Sequence, residues 1–179
     1  MLDPFKRKIS YLRISVTDRC DLRCTYCMPA DGVNWIAHSQ ILSFEEIVDV
    51  VKEAVILGVE KIRLTGGEPL VRKGIVELVR MIAEVPGVKD LAMTTNAQQL
   101  EKYASELAKA GLKRVNISLD TLDAQKYKKL TRLGDISKVF KGMEAAREAG
   151  LYPIKVNCVI TDETTEKDKL ELKSYCKDN

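Results

Sequence analysis

The chain has 179 residues, 45% hydrophobic and 31% charged, which suits one domain with a core of its own. A net charge of +3 is too small for a non-specific nucleic-acid binder, and five cysteines behind an N-terminus with no apolar signal core argue against a disulfide framework. No run of about 18 apolar residues could span a membrane, so the cytoplasm is the expected compartment, and the single histidine, His38, leaves little room for histidine-based chemistry.

The first predicted strand runs from Tyr11 to Ser15. Behind it stand Cys20, Cys24 and Cys27, three thiols within eight residues. Such spacing suits a soft metal or an iron–sulfur cluster, and three ligands leave one coordination position open for chemistry. Ser43-Phe44-Glu45-Glu46 reads as a capping box, and Phe44, Ile47, Val48, Val51, Ala54 and Val55 then fall on one helical face.

From there one rhythm repeats. A helix closes at glycine, an apolar residue follows, and a strand begins. It occurs at Gly58 before Lys61–Thr65, at Gly87 before Leu91–Thr94, at Gly111 before Val115–Ser118, and at Gly150 before Ile154–Asn157. Leu100, Tyr103, Ala104 and Leu107 mark one helix, and Val139, Phe140, Met143 and Ala146 another. Five strands alternating with helices predict an α/β fold with a parallel sheet. The final segment from Thr161 is charged and helix-prone.

Residues two apart share a strand face. That pairs Arg13 with Ser15, Lys61 and Arg63 with Thr65, Thr94 with Asn96, Asn116 with Ser118, and Lys155 with Asn157. A helix-covered parallel sheet is ordinarily apolar on both sides. A polar face carrying cations on three strands therefore predicts an enclosed anionic ligand. The loop Thr65-Gly66-Gly67-Glu68-Pro69 lies at a strand's C-terminal end, where glycines let backbone approach a ligand closely.

These motifs together resemble the radical S-adenosylmethionine (SAM) superfamily. Its cysteine motif has the same spacing, with an aromatic residue where Tyr26 stands, and Gly66-Gly67-Glu68-Pro69 resembles its second signature. The match is nearer still to the family of GTP cyclases that begin molybdenum cofactor synthesis. It rests on Tyr11–Cys20, Ile62–Arg72, Arg114–Asp120 and Lys155–Asn157, within a likeness running from about Asp3 to Val159.

The resemblance implies a partial (βα) TIM-like barrel over residues 1–160, with 161–179 a divergent tail. It implies that Cys20, Cys24 and Cys27 hold a [4Fe–4S] cluster, that Tyr26, Gly67 and Ser118 contact SAM, and that Arg13, Arg63, Thr94 and Lys155 hold GTP. The reaction implied is a lyase-type radical cyclisation of GTP to a 3',8-cyclo nucleotide, with an electron donor as partner. Family enzymes are roughly twice as long, and their C-terminal half supplies a last strand and a second cluster. A truncated chain, one completed by a second chain, or a homodimer is expected. The family usually has glycine where Ala97 stands, so a positive φ there would strain this chain. Cys158 and Cys176 lack cluster spacing and read as a packed and a free thiol. Three other readings stay open. They are another radical SAM activity on a peptide or in the haem pathway, a fragment that binds cluster and SAM without turnover, and a zinc module built on the three cysteines and His38.

Overall fold

The structure is a computed structural model and describes residues 2–178. Five strands, β1 (Tyr11–Ser15), β2 (Lys61–Thr65), β3 (Asp90–Thr95), β4 (Arg114–Ser118) and β5 (Lys155–Asn157), form one sheet in chain order. Every neighbouring pair is parallel. The α/β expectation and the strand count both hold. Six helices follow the strands or lead into them: α1 (Phe44–Ile56), α2 (Ile75–Ala83), α3 (Leu100–Lys109), α4 (Ala124–Thr131), α5 (Ile136–Glu148) and α6 (Glu166–Asp178). Among the described residues, no helix is long and apolar enough to cross a membrane.

Alternation along the strands separates two faces. Ile62, Leu64, Leu91, Met93, Val115 and Ile117 are buried under helices through Ile47, Val51, Leu78, Ile82, Leu100, Leu107 and Val139. Each such aliphatic side chain contributes about 1.5–3 kcal/mol relative to exposure, so this face holds the fold together. The capping box at α1 forms as read. Ser43 Oγ accepts from the Glu46 amide at 3.2 Å, and the Ser43 amide donates to Glu46 Oε2 at 2.7 Å. Gly111 ends α3 at φ +107°, and a Cβ there would sit 2.5 Å from the Ala83 Cβ. Helix closure and helix packing both demand glycine at that point.

Two segments go beyond the sequence reading. Lysine-rich α4 carries little apolar pattern, and it folds because Tyr127 and Leu130 are buried. Helix α6 docks on the same core through Leu172, with the Tyr175 ring 5.7 Å from Phe140. The strain expected at Ala97 is present, since its φ is +62°. A left-handed non-glycine residue costs roughly 1–2 kcal/mol.

Candidate active site: a cysteine loop beside a polar sheet face

The cysteine loop leaves the end of β1 beside the end of β2. Val16 donates to the Thr65 carbonyl at 2.8 Å. The Gly67 amide then donates to Thr17 at 2.7 Å, and the Glu68 amide to Arg19 at 2.8 Å. A Cβ on Gly67 would lie 2.2 Å from the Arg19 carbonyl oxygen, so only glycine permits this contact. The glycine pair of the second signature thus serves the first signature's backbone directly. Arg72 braces the junction, donating to the carbonyls of Val16 and Leu42, both at 2.6 Å.

The far side of the loop is moored to the end of α4. Arg23 and Thr25 amides donate to Thr131 and Leu130 at 3.1 and 2.9 Å, and Arg132 donates to the carbonyls of Arg23 and Met28. Tyr26 Oη donates to Asp120 Oδ2 at 2.6 Å, and Asp120 Oδ1 accepts from the Val159 amide at 2.8 Å. Asp120 therefore ties the loop to the exit of β5. Sequence reasoning missed this residue, because an aspartate after a strand carries no signal of a contact so distant in the chain.

Cys20 and Cys24 are half-buried and Cys27 is exposed. Burial, reinforced by the Asp21, Glu68 and Cys24 charges, pushes the Cys20 thiol up to about 11. Burial and Asp120 push Cys24 up as well. Unaided, this setting disfavours thiolates. A bound metal centre reverses that balance, because a coordinating thiol is deprotonated outright. Among the described residues no three His, Cys, Asp or Glu side chains are grouped as a single metal ion needs. Three spaced thiols moored on one loop fit a cluster that takes one thiolate per iron.

The polar face lies on the other side of the sheet from the core. The register sets Arg13 beside Arg63, Arg63 beside Ala92, and Ala92 beside Arg114. One step along, it sets Thr94 beside Asn116 and Asn116 beside Lys155, with Ser118 beside Asn157 beyond. Arg13, Arg63, Thr94, Ser118 and Lys155 therefore share one face. Arg13 and Lys155 are exposed, and Arg63, Thr94 and Ser118 are half-buried. Arg114, a cation missed in the sequence although it lies two residues before Asn116, pairs with Asp90. Arg63 Nε, Thr94 Oγ1 and Asn116 Oδ1 are buried atoms without a hydrogen-bond partner among the described residues. Three unsatisfied atoms on three adjacent strands mark a place for a polar ligand, since burying such a group unpaired costs about 1–3 kcal/mol.

A parallel sheet with helices on one face, and a cysteine loop beside its open polar face, defines a partial-barrel enzyme fold. The model of the radical SAM superfamily matches residues 14–176, and the chain belongs to that superfamily, which uses SAM with an iron–sulfur cluster. Over 172 residues it is 53% identical to the GTP 3',8-cyclase of Thermodesulfovibrio yellowstonii, covering 93% of this chain and 53% of that enzyme. Over 178 residues it is 51% identical to the GTP 3',8-cyclase of Pseudomonas putida, covering 99% of this chain and 53% of that one. The chain thus spans about half the length of the curated relatives it matches. The solved structure of Streptococcus suis SuiB bound to S-adenosylmethionine superposes with a TM-score of 0.75 at 25% identity, over 93% of this chain and 37% of that one.

Proposed function

We propose that this chain is the cluster-bearing half of a GTP 3',8-cyclase, acting in molybdenum cofactor synthesis. The observation that carries the reading is the polar face, where Arg13, Lys61, Arg63 and Lys155 lie around the orphaned atoms of Arg63, Thr94 and Asn116. A nucleoside triphosphate brings the negative charge and acceptor oxygens these groups lack, and arginine can grip phosphate oxygens in pairs.

Cys20, Cys24 and Cys27 would hold the [4Fe–4S] cluster, which when bound supplies one electron to SAM. Tyr26, Gly67 and Ser118 would line the SAM side. The exposed Gly67 offers backbone with no side chain in the way, and Ser118 offers a hydroxyl at the C-terminal end of β4. Arg13, Arg63, Thr94 and Lys155 would orient GTP on the face beside it. Cys158 and Cys176 show no cluster spacing, so the reading assigns this chain the first cluster only. An external donor supplies the electron.

Anaerobic reconstitution should load about four irons and four sulfides per chain. GTP should then bind with an affinity that falls when Arg63 or Lys155 becomes alanine. A chain that loads no iron, or binds GTP no better after loading than its R63A variant, overturns the reading. A peptide substrate is the second reading, SuiB, a neighbour in fold, having also been solved bound to a precursor peptide. Competition between GTP and a basic or neutral peptide for the loaded chain separates the two.

A further inference from the structure

The start of the segment between the first two cluster cysteines is held at Asp21 by Asn96, with Gln99 beside it. The Asn96 amide uses every polar atom it has. Oδ1 accepts from the Gln98 amide at 2.9 Å, which fixes the orientation of the group. Nδ2 then points the other way, donating to Asp21 Oδ1 at 2.7 Å and lying 3.9 Å from Cys20 Sγ. Gln99 Nε2 reaches the second Asp21 oxygen at 3.1 Å.

The backbone of Asn96 is fixed just as firmly. Its amide donates to Glu68 Oε2 at 2.7 Å, and Glu68 Oε1 accepts from Thr95 Oγ1 at 2.7 Å and from the Leu70 amide at 3.0 Å. Glu68 is 1% exposed and Asn96 9%. Immediately after Asn96 the chain turns through the left-handed Ala97. The glutamate of the second signature is thereby wired through Asn96 to the first cysteine of the first.

From this geometry we infer that Asn96 is a positioning residue for the cluster, which anchors Asp21 and aims a hydrogen-bond donor at the Cys20 sulfur. The inference rests on the cluster reading above. A donor aimed at a ligating sulfur withdraws charge from it and raises the potential at which the cluster accepts its electron. The side chain therefore bears on how readily the site is reduced, besides holding the loop in place.

Anchoring and donation are separable by experiment. Asn96→Ala removes both. The swap N96D/D21N rebuilds the anchor with its polarity reversed, because an amide at 21 can donate to a carboxylate at 96, yet it offers Cys20 no donor from position 96. Redox titration of the reconstituted cluster, followed by its reduced-state resonance at matched iron content, is the measurement. The expected result is a lower midpoint potential in both variants, with the swap loading iron to the wild-type level. A swap with the wild-type potential would show that Asn96 only tethers the loop and would overturn the inference. So would an unshifted N96A. A wild-type chain that loads no iron overturns the cluster reading itself, and this inference with it.

Discussion

Glu68 is a carboxylate almost wholly out of water that accepts three hydrogen bonds, and the two facts oppose each other. Burial outweighs the bonds and pushes its carboxyl up to about 7. A folded value above the unfolded one stabilises fully below about pH 4.5, and that stabilisation is lost as pH rises through 7. The unfolding free energy from urea titrations should therefore fall between pH 4.5 and 7, by about 3 kcal/mol at most, and Glu68→Gln should flatten the slope across that window. A slope unchanged in the variant would exclude Glu68 as its source. At Gly67 the conflict is steric. Gly67→Ala sets a methyl against the Arg19 and Asp18 carbonyls, so it should shift the cysteine loop and abolish iron loading, while far-ultraviolet dichroism stays near wild type.

Helix α6 shows how an element with a weak pattern becomes ordered. One of its side chains, Asp168, fixes its start by accepting four hydrogen bonds. Asp168 accepts from Lys126 Nζ at 2.5 Å, from Thr121 Oγ1 at 3.2 Å, and from both the amide and hydroxyl of Thr165. Lys126 and the Thr165 bonds hold the Asp168 carboxyl well below the usual carboxylate range. A depressed value means stability that is complete above about pH 4 and lost as pH falls below it. Acid should release α6 before the sheet melts, read as hydrogen exchange at 166–178 rising first below pH 4. Leu172→Ala should cost about 2–3 kcal/mol at neutral pH by emptying the contact beneath the helix. If L172A leaves the denaturation midpoint unchanged, α6 is not part of the cooperative unit.

For the whole molecule the informative quantity is surface. The chain exposes 10272 Å², whereas a compact monomer of 20.1 kDa is expected to expose roughly 8,700 Å². The excess of about 1,500 Å² is roughly twice the 800 Å² or so that one partner buries in a standard protein interface. Part of the exposed apolar surface lies by the outer edge of β5, at Tyr152, Val159 and Ile160. An unpaired parallel edge invites another strand. Sedimentation velocity should show reversible association as concentration rises through the micromolar range, reduced by charge at the edge in Val159→Lys. A monodisperse monomer throughout would show that the edge is inert.

Much of this architecture is written locally. Period-two alternation marked both sheet faces, so Arg13, Arg63, Thr94, Ser118 and Lys155 could be placed on one side without coordinates. Helix-closing glycines and the Ser43 capping box set the element boundaries, because backbone geometry depends on near neighbours. The cysteine loop and the Gly-Gly-Glu-Pro loop were equally legible as short motifs. What joins them was not. Asn96 to Asp21, Asp120 to Tyr26, and Arg132 to the loop carbonyls span 75, 94 and over 100 residues. Those pairings depend on the parallel sheet bringing successive strand ends to one rim, and an unfolded sequence has no rim. The sequence by itself determined which chemistry the chain carries. Only the tertiary structure decided which side chains hold that chemistry in place, since hydrogen bonds between distant residues exist only after the core beneath the sheet has packed.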